Sequence, residues 1–268
     1  MKTETLNRKY EPLSLLFAAL GGVVLLFIIA PLISMFINCS LPELAETAKD
    51  QEVRSSIWLT LWTSMTATAL FAIAAIPFSH LLARKDFPLK GLISGIIDVP
   101  IVIPHPVAGI ALLCVVSRGT FLGQAADKMG FSFVGSSLGI MLAMAFVSIP
   151  FLVNSARDGF AAVPVRLEKA ALNLGASPLR VFFTISVPLA SRSIVSGLIL
   201  MWARGMSEFG AVLIIAYHPM IMPVLIHERL GAFGLKYARP VAVLFVSICL
   251  IFFIILRLLV RGKDAAHR

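Results

Sequence analysis

The sequence predicts an all-α integral membrane protein, a single polytopic domain of about six transmembrane helices. Three observations predict it. Of 268 residues, 59% are apolar and only 14% are charged, with a mean hydropathy of +0.93. A soluble domain sits nearer half apolar and a quarter charged, so lipid has to serve as part of the solvent. Apolar stretches approaching or exceeding the about 20 residues needed to cross a bilayer recur along the chain. The segments between them alternate between rich and poor in Lys and Arg, the asymmetry that membrane topology follows.

The first span lies near 13–37, 25 residues long and preceded by Lys2, Arg8 and Lys9. That is well beyond the ~7–15 apolar residues of a signal peptide, so it reads as an uncleaved span. The others lie near 55–83, 91–117, 137–156, 188–216 and 240–260. Pro31 and Pro77 mark possible kinks in the first two. The third is interrupted by Asp98-Val-Pro100-Ile-Val-Ile-Pro104-His105-Pro106-Val-Ala-Gly109. Each proline removes a backbone donor and disfavours helix at the residue before it. Non-helical backbone at membrane depth is tolerated against protein or a water-filled cavity. Two readings stand: the segment lines a path or seam, or it is a kink between two packed helix halves. The outer segments 38–54, 118–136 and 217–239 are too short for an external domain, and no internal repeat or low-complexity tract is evident.

Orientation follows from the positive charges. One side collects Lys2, Arg8, Lys9, Arg84, Lys85, Lys90, Arg157, Arg166, Lys169, Arg180, Arg192, Arg257, Arg261, Lys263 and Arg268. The other has Lys49, Arg54, Arg118, Lys128, Arg229, Lys236 and Arg239, so the count is 15 against 7. The rule places both termini and the 157–187 loop in the cytoplasm of a multi-pass cell-membrane protein. The net charge of +9 is thereby explained without nucleic acid.

That loop carries the longest charged, helix-competent segment between two apolar blocks, Val163 to Arg180. Pro164 suits a first helical turn. Leu167, Ala171 and Leu174 fall at i, i+4 and i+7, one apolar stripe. Gly175 is a natural stop, and Ser177-Pro178 restarts a second short helix as N-cap and first-turn proline. Such a helix between spans suggests a surface that meets another protein.

Ionisable residues inside spans are functional candidates by default. Arg204 and Glu208 lie four apart in the fifth span, on one helical face. They form either an internal salt bridge that fixes helix packing or, through Arg204, positive potential along an anion path. Gly205, Gly210 and Ala211 allow close helix approach there. His105, between two prolines, either binds a ligand or satisfies freed carbonyls. His227-Glu228 begins a zincin-like pattern, but Gly231 stands where the second His is required, so no metal site is read. Cys39, Cys114 and Cys249 have no disulfide or zinc spacing and read as small apolar residues. No Walker A pattern, no G-x-G-x-x-G after a strand and no Ser/His/Asp set occurs. The chain is not read as an enzyme.

The loop is also where a family resemblance rests. Glu168-Lys169-Ala170-Ala171, then Leu174-Gly175-Ala176-Ser177-Pro178, then Val187-Pro188, resembles the cytoplasmic "EAA" loop of ABC importer permeases. Lys169 stands where many relatives carry a second acid. Asp98 to Leu112, with Pro104, His105, Pro106 and Gly109, is similar to the third-span signature of sulfate, molybdate and tungstate permeases. Arg204-Gly-Met-Ser207-Glu208-Phe-Gly210-Ala211 is similar to their fifth-span signature, with Ser207 replacing a common glycine. The His105-Pro106 form looks most like the archaeal-type molybdate/tungstate permeases.

The resemblance implies a type I importer: two copies of this chain forming the channel, two ATPase subunits beneath it, and an extracytoplasmic binding protein delivering a tetrahedral oxyanion. ATP and Mg would sit on the partner subunit, with no cofactor in this chain. Residues 164–176 would be the coupling helix. Glu168 would face basic groups of the ATPase, while Ala170, Ala171 and Gly175 permit close seating. Residues 104–109 and 204–210 would line the path or gate. The alternatives are a sulfate-type ABC permease and an autonomous secondary anion transporter; the motif-bearing loop and the lack of an inverted repeat argue against the latter.

Overall fold

The computed structural model describes residues 2–265, with side chains over 13–256. The side chains of Lys2, Arg8, Lys9, Arg257, Arg261 and Lys263, and all of Arg268, therefore lie outside the described residues. Helix dominates, and the described residues contain no strand.

Helix α1 (Lys2–Ile37) and the second span α3 (Gln51–Arg84) run through Pro31 and Pro77 without a break. The third span is two helices, α4 (Lys90–Val102) and α5 (His105–Val116), bent by 115° at residues 103–104. The fourth, α7 (Ser137–Ala162), is capped by Ser136 and is the most buried span. The last, α13, covers Leu235–Ala265.

Between the spans the chain forms short helices where the sequence reading expected plain outer loops: α2 (Leu41–Lys49), α6 (Phe121–Lys128) and α12 (Met222–Phe233). Helix α2 begins with a reciprocal capping box, Ser40 and Glu43 each accepting from the other's backbone N–H. Asp50 closes α2 and caps α3, accepting from Glu52 N at 2.8 Å. Arg229 of α12 reaches across to Asp50 at 2.6 Å and Glu52 at 3.0 Å. The Arg229 hydrogen bond holds the Asp50 carboxyl below the ordinary aspartate range. These contacts seat α12 beside the start of α3.

The loop after α7 contains α8 (Val165–Asn173) and α9 (Pro178–Val181). Gly175 ends α8 with φ +88°, and Ala176 N donates back to Ala171 O at 3.0 Å, closing the helix with a left-handed turn. Ser177 caps α9, accepting from Arg180 N at 3.3 Å. The sequence reading made α9 a separate short helix. It instead leads through a wider π-turn (Phe182–Ser186) directly into α10 (Val187–Met206), so the fifth span begins at Pro178.

The same span ends early. The sequence places it at 188–216, but α10 stops at Met206, residues 207–209 leave the helix, and α11 (Gly210–Ile215) is a separate piece. The reason is local: Glu208 turns inward to accept from Ala211 N at 2.8 Å, and a carboxylate bound to a following N–H starts a new helix instead of extending the old one.

Packing centres on α7. Helix α3 lies along it through small residues such as Ala67, Ala72 and Ala75, and α10 through Gly159 and Gly197. A Cβ at Gly159 would come within 2.4 Å of Ser193 Cβ, and one at Gly197 within 2.9 Å of Ser155 Cβ. Small residues let membrane helices approach this closely. A second core joins α5, α7, α11 and α12 around Ala108, Ile140, Met144, Ile215 and Val224. By contrast, the described side chains of α1 are exposed along nearly its whole apolar length.

Candidate translocation site and docking helix

Two clusters assemble the residues singled out from sequence. The first lies where the two broken helices meet. Gly210 sits against the start of α5: a Cβ there would fall 2.7 Å from His105 Cβ and 3.1 Å from Pro106 Cδ. Gly109 does the same for α11, its added Cβ falling 2.7 Å from Ile214 Cβ and 2.9 Å from Ala211 O. Both glycines are needed for close approach, and the approach brings His105 to the α10–α11 break.

There Arg204 Nη2 donates to Glu208 Oε2 at 2.9 Å, while His105 Nδ1 lies 3.2 Å from the same oxygen. Arg204 Nη2 is also 2.9 Å from His105 Nε2. Glu208 Oε1 accepts from Ala211 N, so both carboxylate oxygens are satisfied although the side chain is only 1% exposed. A buried carboxylate is tolerable only when paired and hydrogen-bonded in this way. Arg204 Nη1 has a long contact of 3.5 Å to Ser207 Oγ. The structure thus joins His105, Arg204, Ser207, Glu208 and Gly210 in one site, with Pro106 and Gly109 packing it. Pro104 stands at the bend itself as the residue before α5.

The second cluster anchors α8. Glu168 is buried, and its Oε1 accepts from Arg84 Nη2 at 2.9 Å, Arg84 Nε at 3.2 Å and Ser186 Oγ at 2.7 Å. Arg84 Nη2 also donates to Val163 O at 2.9 Å. His80, one turn back on α3, lies 3.6 Å from the same carboxylate oxygen and packs edge-on against Phe160 and Phe182. Burial raises the Glu168 pKa, but the Arg84 and Ser186 hydrogen bonds outweigh it and hold the carboxyl below its ordinary value. The sequence expectation that Glu168 faces a partner's basic groups is corrected: its charge is spent within the chain, tying α8 to the end of α3 and to the π-turn. Arg84, His80 and Ser186 were not among the candidates. The spacing of His80 and Arg84, four apart at the end of a span, was the available signal.

What α8 presents outward is different. Leu167, Leu172 and Leu174 are exposed, Leu174 at 89%, together with Arg166, Lys169 and Ala170. The apolar stripe read from sequence therefore lies largely outside the bundle. Leu179 of α9 extends the same exposed apolar character, and Ser177 and Pro178 lie between them at the surface. A third polar contact, missed from sequence, joins the broken third span to α7: Asn154 Nδ2 donates to Asp98 Oδ1 at 2.6 Å.

Comparison with known proteins follows the same lines. The model of the family described as "binding-protein-dependent transport system inner membrane component" matches residues 75–264. A molybdate/tungstate transport system permease protein of Pyrococcus abyssi is 46% identical over 251 residues, 92% of this chain and 95% of that protein. A probable sulfate transport system permease protein of Chlorokybus atmophyticus is 32% identical over 200 residues, 73% of this chain and 70% of that one. Among solved structures, a bacterial alginate ABC transporter in complex with an alginate pentasaccharide-bound periplasmic protein contains a chain with the same fold. Its TM-score is 0.72 at 14% identity, covering 93% of this chain and 94% of that chain. The third and fifth spans, the α8 loop and nearly the whole length of the chain share one relationship: this protein is a member of the inner-membrane permease family of binding-protein-dependent ABC transport systems.

Proposed function

We propose that this chain is the membrane subunit through which a tetrahedral oxyanion, molybdate or tungstate, enters the cytoplasm, driven by ATP hydrolysed on a separate subunit. The observation that carries the substrate is the 46% identity to a molybdate/tungstate permease over nearly the full length of both chains, against 32% to a sulfate permease over a shorter stretch. Two copies of the chain form the channel, an extracytoplasmic protein delivers the anion, and both termini and α8 face the cytoplasm. The charge distribution supports that orientation.

The two clusters divide the work. Helix α8 offers exposed leucines and two cations to the ATPase, while the Glu168–Arg84–Ser186 knot joins it to α3 and to the π-turn that leads into α10. Displacement of the docked helix then moves two spans together. ATP binding shifts the membrane part only through such a difference in contacts between states. At the other cluster, irregular backbone and a partly exposed Arg204 lie where two spans are interrupted. Main-chain breaks of this kind are found at depth only against protein or water.

The test is uptake of tungstate and molybdate by vesicles holding the permease, its ATPase subunits and the binding protein. ATP-dependent accumulation of either, with sulfate transported poorly, is the expected result. Uptake by the permease alone under an ion gradient would point to a secondary transporter. Preference for sulfate would reassign the substrate.

A further inference from the structure

We propose that the open edge of Arg204, with the Ser207 hydroxyl, is a transit station for the oxyanion, and that Glu208 is a resident anion that keeps binding there weak. This rests on the import reading above. A guanidinium carries five N–H donors. Arg204 turns Nη2 inward to Glu208 and His105. Among the described residues, Nη1 has only the 3.5 Å contact to Ser207 Oγ. The pair is therefore one-sided: Glu208 is sealed at 1% exposure, while Arg204 keeps 23% of its side chain, and His105 43%, open. A bridge serving packing alone would have no need to leave the cation's second edge uncovered.

That edge faces water or a partner, since an arginine turned to lipid at this depth is costly. The interruptions at 103–104 and 207–209 flank it, and they too require protein or water beside them. The planar fork of guanidinium donors matches two oxygens of a tetrahedral oxyanion, and Ser207 Oγ, which donates to Arg204 O at 3.0 Å, stands at its rim. An unopposed arginine in such a site would hold a dianion too firmly for passage. Conduction needs attraction enough to enter and weakness enough to leave. Glu208 cancels one unit of charge from behind, and its bonds to Ala211 N and His105 keep it there as the anion passes.

The experiment uses the complete transporter in vesicles, with tungstate as probe. Ser207→Asp places a carboxylate on the open edge without entering the buried pair. Uptake should fall roughly tenfold or more through like-charge repulsion, while co-purification with the ATPase stays normal. Glu208→Gln should make the purified complex retain tungstate more tightly and slow its release. The neutral double variant Arg204→Gln/Glu208→Gln removes both charges together and should assemble yet transport poorly. Wild-type uptake by Ser207→Asp, or full recovery in the assembled double variant, would overturn the proposal and leave a purely structural bridge. If the unmodified complex moves neither tungstate nor molybdate, the import reading itself falls.

Discussion

Glu168 shows how far a single residue can be read. Its place in the loop was legible, because the acid–Ala–Ala group and the glycine four residues on are adjacent in sequence. Its partners were not: Arg84 is 84 residues upstream, and Ser186 is delivered by a π-turn that no local pattern announces. Burial then bears on its role, since Oε1 accepts three hydrogen bonds from within the chain and the carboxylate is already paired there. Glu168→Gln leaves Arg84 buried without a counter-charge, and a cost of about 3 kcal/mol is expected from breaking such a pair. Arg84→Ala should cost a similar amount, and the double variant should lose much less than the sum, measured by thermal unfolding in detergent. The pH dependence has a definite sign. The folded carboxyl titrates below the ordinary glutamate value of 4.5, so the unfolded chain binds the proton more readily. The contribution is complete above that value and is lost as pH falls through the folded pKa. Acid unfolding should begin earlier in wild type than its neutral-pH stability suggests, and Glu168→Gln should flatten that part of the profile.

At the scale of elements, the breaks matter more than the spans. The break in the third span was visible because three prolines within seven positions cannot stay in one regular helix. The break in the fifth was not, since 188–216 reads as continuous apolar sequence with one ion pair at the expected helical spacing. The structure spends Glu208 on restarting the chain as α11, a choice made by its tertiary contacts with α5. Helices α2, α6 and α12 were missed for a different reason: all three are short, α2 and α6 are amphipathic besides, and a search for long apolar runs passes over them. Their signals were present, Ser40 and Thr120 as caps and Pro223 within the first turn of α12. The α5–α11 contact yields a sharp prediction. Gly210→Ala puts a methyl 2.7 Å from His105 Cβ, against the stiff start of a proline-containing helix. Overpacking of this kind costs about 1–3 kcal/mol, and Gly109→Ala should behave alike from the opposite side. Gly91→Ala and Gly95→Ala, where a Cβ meets nothing within 4 Å, should leave the melting temperature almost unchanged. Equal melting of Gly210→Ala and Gly95→Ala would show that the two broken helices are not tightly apposed.

For the whole molecule, the exposed surface of α8 and α9 says what remains to be covered. Leu172, Leu174 and Leu179 project from a loop rich in Arg and Lys, away from the long apolar faces of the spans. Apolar side chains ringed by cations on a short, capped helix suit a groove on a soluble partner. The anchoring of Glu168 sharpens the proposed division: rigidity would come from inside the chain, and affinity from the leucines. Leu174 lies on the turn that Gly175 closes and is almost fully exposed, so Leu174→Asp removes no buried contact of this chain. Its own fold should melt as before. Capture of the ATPase subunit in mild detergent should fall roughly tenfold or more, as when a central apolar anchor is replaced by a charge. Glu168→Gln should show the opposite pattern, with reduced melting temperature and an ATPase that still binds but hydrolyses ATP with less transport. If Leu174→Asp retains its partner and Glu168→Gln loses it, docking rests on the acid after all, reached by a rearrangement that frees it from Arg84.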